Sequence, residues 1–104
     1  MKGALALLTV LAGCSQATAQ SEDLFGSVCA RCHGALGLGG VAKAGIPAPR
    51  NFHDAAFQSA RSDAQIRATI VEGKGGAMPS FRGAFSAAQL DALVARVRSF
   101  APGR

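Results

Sequence analysis

Tryptophan and tyrosine are absent, and six phenylalanines make up the whole aromatic content. Stacking platforms for single-stranded nucleic acid are therefore poorly supplied. Charged residues are only 16% of the 104-residue chain, too few for a disordered polyampholyte. Three cysteines cannot build a multi-bridge disulfide framework. No apolar run reaches the length of a membrane-spanning helix. Acidic residues are scarce, 6 Asp and Glu against 11 Lys and Arg, for a formal charge of +5. That excess is mild. It suits docking to an acidic partner or resting on an anionic surface, and it falls short of the dense basic stripe of a nucleic-acid binder. The length allows one domain.

The chain opens as an address. Met1-Lys2 is a minimal positive start, and residues 4–12 (ALALLTVLA) are an apolar stretch followed by small residues, the layout of a secretory signal. The cut has two readings. Leu11-Ala12-Gly13-Cys14 matches a bacterial lipobox, which would make 1–13 the signal, lipidate Cys14 and leave Ser15–Gln20 as a polar tether. Ala17-Thr18-Ala19 before Gln20 matches an ordinary A-x-A site, which would make 1–19 the signal and 20–104 the domain. Both readings expect an exported, periplasmic protein; the first adds a membrane tether. Either way Lys2 is lost and the formal charge falls by one, to +4. The 91 or 85 residues that remain hold a small core, and chains of this size commonly gain stability from a metal or cofactor.

Cys29-Ala30-Arg31-Cys32-His33 reads C-x-x-C-H. On a helix, residues three and four apart share a face, so Cys29, Cys32 and His33 point the same way. Two thiols there can bond to the two vinyl groups along one edge of a haem, and the adjacent imidazole can reach its iron. Three other readings compete. A thioredoxin-like couple needs strands and a βαβ unit, and no alternating strand pattern is present. A zinc site would use Cys29, Cys32, His33 and His53, but the adjacent Cys32-His33 pair closes a tetrahedron poorly and the second half has no matching pair. The third is chance.

Together with Leu24-Phe25, Gly34, Pro47, Pro49, the Met78-Pro79-Ser80-Phe81 segment and a terminal amphipathic stretch, the motif resembles class I c-type cytochromes, the small mono-haem bacterial electron carriers. The resemblance runs from about Ser21 to Phe100. It implies an all-α cytochrome c fold, three main helices and loops around one covalent haem c, with His33 and Met78 as axial iron ligands. It also implies a proline carbonyl, of Pro47 or Pro49, accepting the hydrogen bond from His33 Nδ1; such a contact fixes the tautomer and raises ligand basicity.

The residues themselves give the helices. The first spans about Glu22–Arg31, with carboxylates in its first turn and Gly34 as a stop. Ala35–Asn51 is a glycine- and proline-rich loop. Asp54–Gln58 is a short turn presenting Phe57. Ser62-Asp63-Ala64-Gln65 opens the second main helix with a capping box, Ile66 and Ile70 share a face, and Gly73 ends it. Ser86-Ala87-Ala88-Gln89 opens the last helix, with Phe85 and Leu90 as a hydrophobic staple. Leu90, Leu93, Val94, Val97 and Phe100 form one apolar stripe whose expected partners are Leu24, Phe25 and Val28. Between the second and last helices, Gly73-Lys74-Gly75-Gly76-Ala77-Met78-Pro79 lets the chain turn sharply. Met78 is a core plug or an iron ligand, and the Met-Pro context favours the ligand. His53, the other imidazole, lies in a polar loop and reads as exposed. Arg50 is one candidate neighbour of a haem propionate. The family often has a tryptophan close to the propionates; this chain has none, so that contact is absent or filled by Phe52 or Phe57.

A haem iron with both axial positions filled exchanges electrons and offers no site for substrate. The sequence therefore predicts a periplasmic one-electron carrier between redox protein partners, a donor and an acceptor, and no enzyme. Two alternatives share the motif: a haem subunit bound permanently to a larger oxidoreductase, and a peroxidase or gas-binding protein with Met78 displaced. The lipobox reading is tested directly. Cys14→Ser should move the protein from the membrane pellet to the soluble periplasmic fraction; unchanged partitioning points to the cut after Ala19.

Overall fold

Two serines start the two longest helices, and both do so by the same reciprocal contacts. In a computed structural model that describes Gly3, Ser21, Glu22 and residues 24–40, 42 and 44–103, the Gln65 amide donates to Ser62 Oγ at 3.1 Å while the Ser62 amide donates to Gln65 Oε1 at 2.9 Å. Gln89 and Ser86 repeat this at 3.1 and 2.8 Å. Each box satisfies amides that a helix start leaves without partners. Both cleavage sites and Cys14 lie outside the described residues.

Among the described residues four helical elements result. α1 is a π-helical segment, Phe25–Cys29, running directly into an α-helical turn, Ala30–His33. α2 is Ala55–Ala60, capped by Asp54, which accepts from the Ala56 amide at 3.0 Å. α3 is Asp63–Glu72 and α4 is Ala87–Ser99. The described residues contain no strand, only an isolated antiparallel bridge between Lys74 and Met78. No described helix is long and apolar enough to cross a membrane. The all-α expectation and both glycine stops hold. The first helix differs: it extends to His33, and the Ala30 amide donates to Phe25 O, five residues back. Such wide turns occur mostly as single insertions within helices, often at functional sites.

The core is built from one face of each long helix. Ile66 and Ile70 of α3 meet Leu90, Leu93, Val94 and Val97 of α4, and all six are buried. α3 and α4 are the separate elements whose backbones approach most closely. α1 joins through Phe25, whose ring centroid lies 5.2 Å from that of Phe100, and just ahead of α1 Glu22 pairs with Arg96 at 3.7 Å. Phe52 brings the long loop into the same cluster, 6.2 Å from Phe25 and 5.6 Å from Phe57. Phe85 is half-buried against this core, with its ring 5.5 Å from Phe81.

Arg98 fastens α4 to what precedes it. Its Nε donates to Asp63 at 2.7 Å, and its Nη1 to Gln58 O at 2.8 Å; its Nη2 also donates to Arg61 O. The Gln58 side chain in turn donates to Phe52 O and Val97 O, at 2.8 and 3.0 Å. These bonds hold the α2–α3 junction against α4. Leu93, 1% exposed, sits at the centre of the apolar seam. Leu93→Ala should therefore lower the unfolding free energy of the mature protein by about 2–5 kcal/mol. Asp91→Ala removes only an exposed ion pair with Arg67 and should cost less than about 1 kcal/mol. Denaturant titrations of the two variants check the contrast.

Candidate functional site

One side of the core opens into an apolar cavity of about 720 Å³. Sites that enclose small molecules and cofactors commonly occupy roughly 300–1,000 Å³. Its walls include Phe25, Phe52, Ile66, Ile70, Leu93 and Val97. Cys29, Cys32 and His33 reach it from α1, and Met78 reaches it from the loop after α3. The four residues singled out by motif therefore converge on one space. Both motif cysteines are free thiols. Val28 also lines the cavity, instead of packing on α4 as its α-helical register suggested. The wide turn that begins at Phe25 rotates the residues after it.

His33 is fixed from two directions. Its ring stacks on Phe52, with centroids 4.5 Å apart and planes 21° apart. Its Nδ1 lies 3.3 Å from the carbonyl oxygen of Arg50. A carbonyl only accepts, so Nδ1 carries the proton and Nε2 keeps its lone pair for the cavity. This corrects the proline expectation: neither Pro47 nor Pro49 provides the acceptor. The Pro49 carbonyl is turned against Gly39, where a Cβ would come within 2.6 Å of it. The next carbonyl along the chain takes the role. The Gly39 amide closes the arrangement by donating to His33 O at 2.8 Å.

Met78 is held by the end of α3. Gly73 closes the helix with φ 72 and ψ −170, a region essentially restricted to glycine. The Lys74 amide then donates to Met78 O at 2.9 Å, Ser80 Oγ to Val71 O at 2.7 Å, and the Phe81 amide to Ile70 O at 3.2 Å. The segment 78–81 is thereby strapped along the last turn of α3. His53 is elsewhere. It does not line the cavity, and its Nε2 donates to Leu36 O at 2.7 Å. Among the described residues no group of three or more His, Cys, Asp and Glu gathers to hold a metal ion, so the zinc arrangement is not formed.

Burial sets the protonation of the donors. It pushes the Cys29 thiol up to about 11, so the group stays neutral. It also lowers His33 below the usual imidazole value, against an opposing contribution from the Arg50 carbonyl. A neutral imidazole is the form that can donate an electron pair to a metal.

The charges divide cleanly. Arg67, Arg82, Arg96 and Arg98 pair with Asp91, Glu72, Glu22 and Asp63. The other described basic side chains, Arg31, Arg50, Arg61 and Lys74, all line the cavity, and no carboxylate does. The Arg50 guanidinium lies 5.7 Å over the Phe57 ring, and Arg61 Nη2 donates to Thr69 Oγ1 at 3.2 Å. Sequence reading singled out Arg50 and passed over Arg61 and Lys74. Lys74 was findable, four residues before Met78 in the same glycine loop. A second cleft of about 450 Å³ lies between α3 and α4, but its Asp63, Arg67, Asp91 and Arg98 are engaged with one another. Two thiols, an imidazole with its Nε2 unengaged, a thioether, apolar walls and guanidinium groups for carboxylates form a donor set that fits a haem.

Comparison with known proteins agrees. The model of a family described as cytochrome C oxidase, cbb3-type, subunit III matches residues 16–95. A solved structure described as KustC0563 c-type cytochrome is similar, with a TM-score of 0.68 and 31% sequence identity over 78% of this chain and 96% of that one. Comparison with curated proteins gives no match.

Gly73 tests the strap. A Cβ there would lie 2.6 Å from Met78 O and 2.7 Å from Pro79 C, both backbone atoms. Gly73→Ala should destabilise the mature protein by roughly 1–3 kcal/mol. It should also speed hydrogen exchange at the Lys74 and Phe81 amides, which the strap protects. Unchanged exchange there would mean that Met78 is positioned by other contacts.

Proposed function

The chain is a small c-type cytochrome belonging to the family described as cytochrome c oxidase, cbb3-type, subunit III, and from that premise we propose that it carries single electrons outside the cytoplasmic membrane with one covalently attached haem. The observation that carries this reading is the convergence of Cys29, Cys32, His33 and Met78 on one apolar cavity. Haem supplies reversible one-electron chemistry at its iron. Cys29 and Cys32 would hold it through thioethers, which keeps it in a domain too small to cage it by packing alone. His33 Nε2 and the Met78 sulfur would ligate its iron, a fully ligated iron that would serve electron exchange and not substrate binding. The protein is accordingly a carrier, not an enzyme. Arg50 and Arg61 are the candidates for the propionates. The apolar walls limit water around the iron, and such burial tunes the potential. His53, tied to Leu36 outside the cavity, is not placed to assist peroxide cleavage.

The address at the N-terminus supports export to the periplasm, with Cys14 as the candidate lipid anchor. Redox proteins, a donor and an acceptor, are the partners of this reading. The family description favours a second reading, a haem subunit bound permanently to a larger membrane oxidoreductase. Size-exclusion chromatography of the native material separates them: a free carrier elutes as a single small domain, and a subunit co-elutes with its complex.

The haem claim has its own test. The purified mature chain should keep its colour through acidic organic extraction, with its mass raised by one haem. Met78→Ala should abolish the far-red ferric band and lower the reduction potential, because a thioether ligand raises it. His53→Ala should leave both unchanged. The opposite pattern would transfer the axial role to His53.

A further inference from the structure

We propose that Gln58, which does not itself line the cavity, is a positioning residue for His33: it fixes Phe52, and Phe52 fixes the plane of the imidazole; this rests on the haem reading and extends it to a side chain behind the ligand. Two contacts hold the His33 ring. The one from Nδ1 to Arg50 O spans 3.3 Å, beyond the usual range of about 2.7–3.2 Å. A single long bond leaves a ring free to tilt about it. The stack on Phe52, with centroids 4.5 Å apart and planes 21° apart, restricts that tilt. The plane of the imidazole therefore follows Phe52.

A phenylalanine side chain has no polar group with which to lock its own position. Phe52 is placed by neighbouring rings and by its main chain. Its amide donates to Gly37 O at 2.8 Å, and its carbonyl accepts from Gln58 Nε2 at 2.8 Å. The same Nε2 donates to Val97 O at 3.0 Å. Val97 lies in the last turn of α4, where carbonyls lack helical partners. Gln58 Oε1 accepts from Arg98 Nη1 at 3.0 Å. The amide nitrogen and oxygen of one half-buried side chain thus tie Phe52 to α4. Packing alone is the competing account, because Phe25, Phe57 and Phe100 also lie against Phe52, at 6.2, 5.6 and 6.2 Å. Apolar contact is non-directional, whereas a hydrogen bond fixes distance and angle. The rings hold Phe52 in the core; Gln58 sets where in the core it stops.

The test uses the ferric holoprotein, whose haem methyl proton shifts depend on the plane of the axial imidazole. Gln58→Glu is nearly isosteric, keeps the acceptor for Arg98 and loses both donors. It should retain most of the stability and lose the wild-type methyl pattern. Gln58→Met removes all three bonds and should lose the pattern together with stability. Phe52→Leu should lose it as well, and adding Gln58→Glu to Phe52→Leu should change it no further, because the two act in series. Ser86→Ala removes the cap at the other end of α4; it should lower stability and leave the pattern unchanged. One measurement needs no variant: the Gln58 side-chain amide protons should exchange at least about tenfold more slowly than those of the exposed Gln65 and Gln89. A wild-type pattern in Gln58→Glu, an additive change in the double variant, or rapid exchange at Gln58 would each overturn the proposal. Colour kept through acidic extraction reports haem attachment separately, so the haem reading and the role of Gln58 fail independently.

Discussion

The fold is organised by the need to bring donors from distant segments to one apolar cavity while keeping water from its walls. A chain this short has few buried side chains with which to do it. The same residues consequently serve two purposes. Phe25, Phe52, Leu93 and Val97 are core residues and cavity walls at once. Ile66 and Ile70 seal α3 against α4 and face the same space. Any loosening of the core would therefore be felt at the site.

The donors sit on two bodies of the fold, α1 with the loop folded against it and α3 with its strap. Cys29, Cys32 and His33 belong to the first. Met78 belongs to the second, because its strap is bonded to the carbonyls of Ile70 and Val71. Glycines end both bodies. Gly34, with φ 81 and ψ 151, stops α1 directly after the imidazole, and Gly73 does the same for α3 just before the Met loop. In each case the chain must leave its helix at an angle that side chains with a Cβ resist. A haem held by both bodies would act as the bolt between them.

What could be read in the sequence was what is local. Capping boxes at Ser62 and Ser86 depend on residues three apart, and both form as the pattern implies. The C-x-x-C-H spacing and the Met-Pro pair carry their chemistry within a few residues, and they pointed to the cavity without knowledge of its shape. What could not be read depends on tertiary direction. The acceptor for His33 was expected from a proline, yet which carbonyl points inward is decided by the packing of Pro49 on Gly39. Arg61 was overlooked because nothing in its neighbours marks a linker residue as a cavity wall. The wide turn in α1 is likewise silent in the sequence, since neighbouring register, not composition, creates it, and Val28 was assigned to the wrong face as a result.

The bond from His33 to position 50 has one further consequence. It is made to the main chain, and every amino acid, proline included, brings the same carbonyl. Point mutation at Arg50 can alter the charge beside the cavity without disturbing the tautomer of the imidazole. Insertion or deletion between Gly40 and Pro49 would have the reverse effect, preserving the guanidinium while moving the oxygen. Sequence drift at this position is thus free to retune electrostatics, whereas a change in loop length would carry the oxygen away from the imidazole.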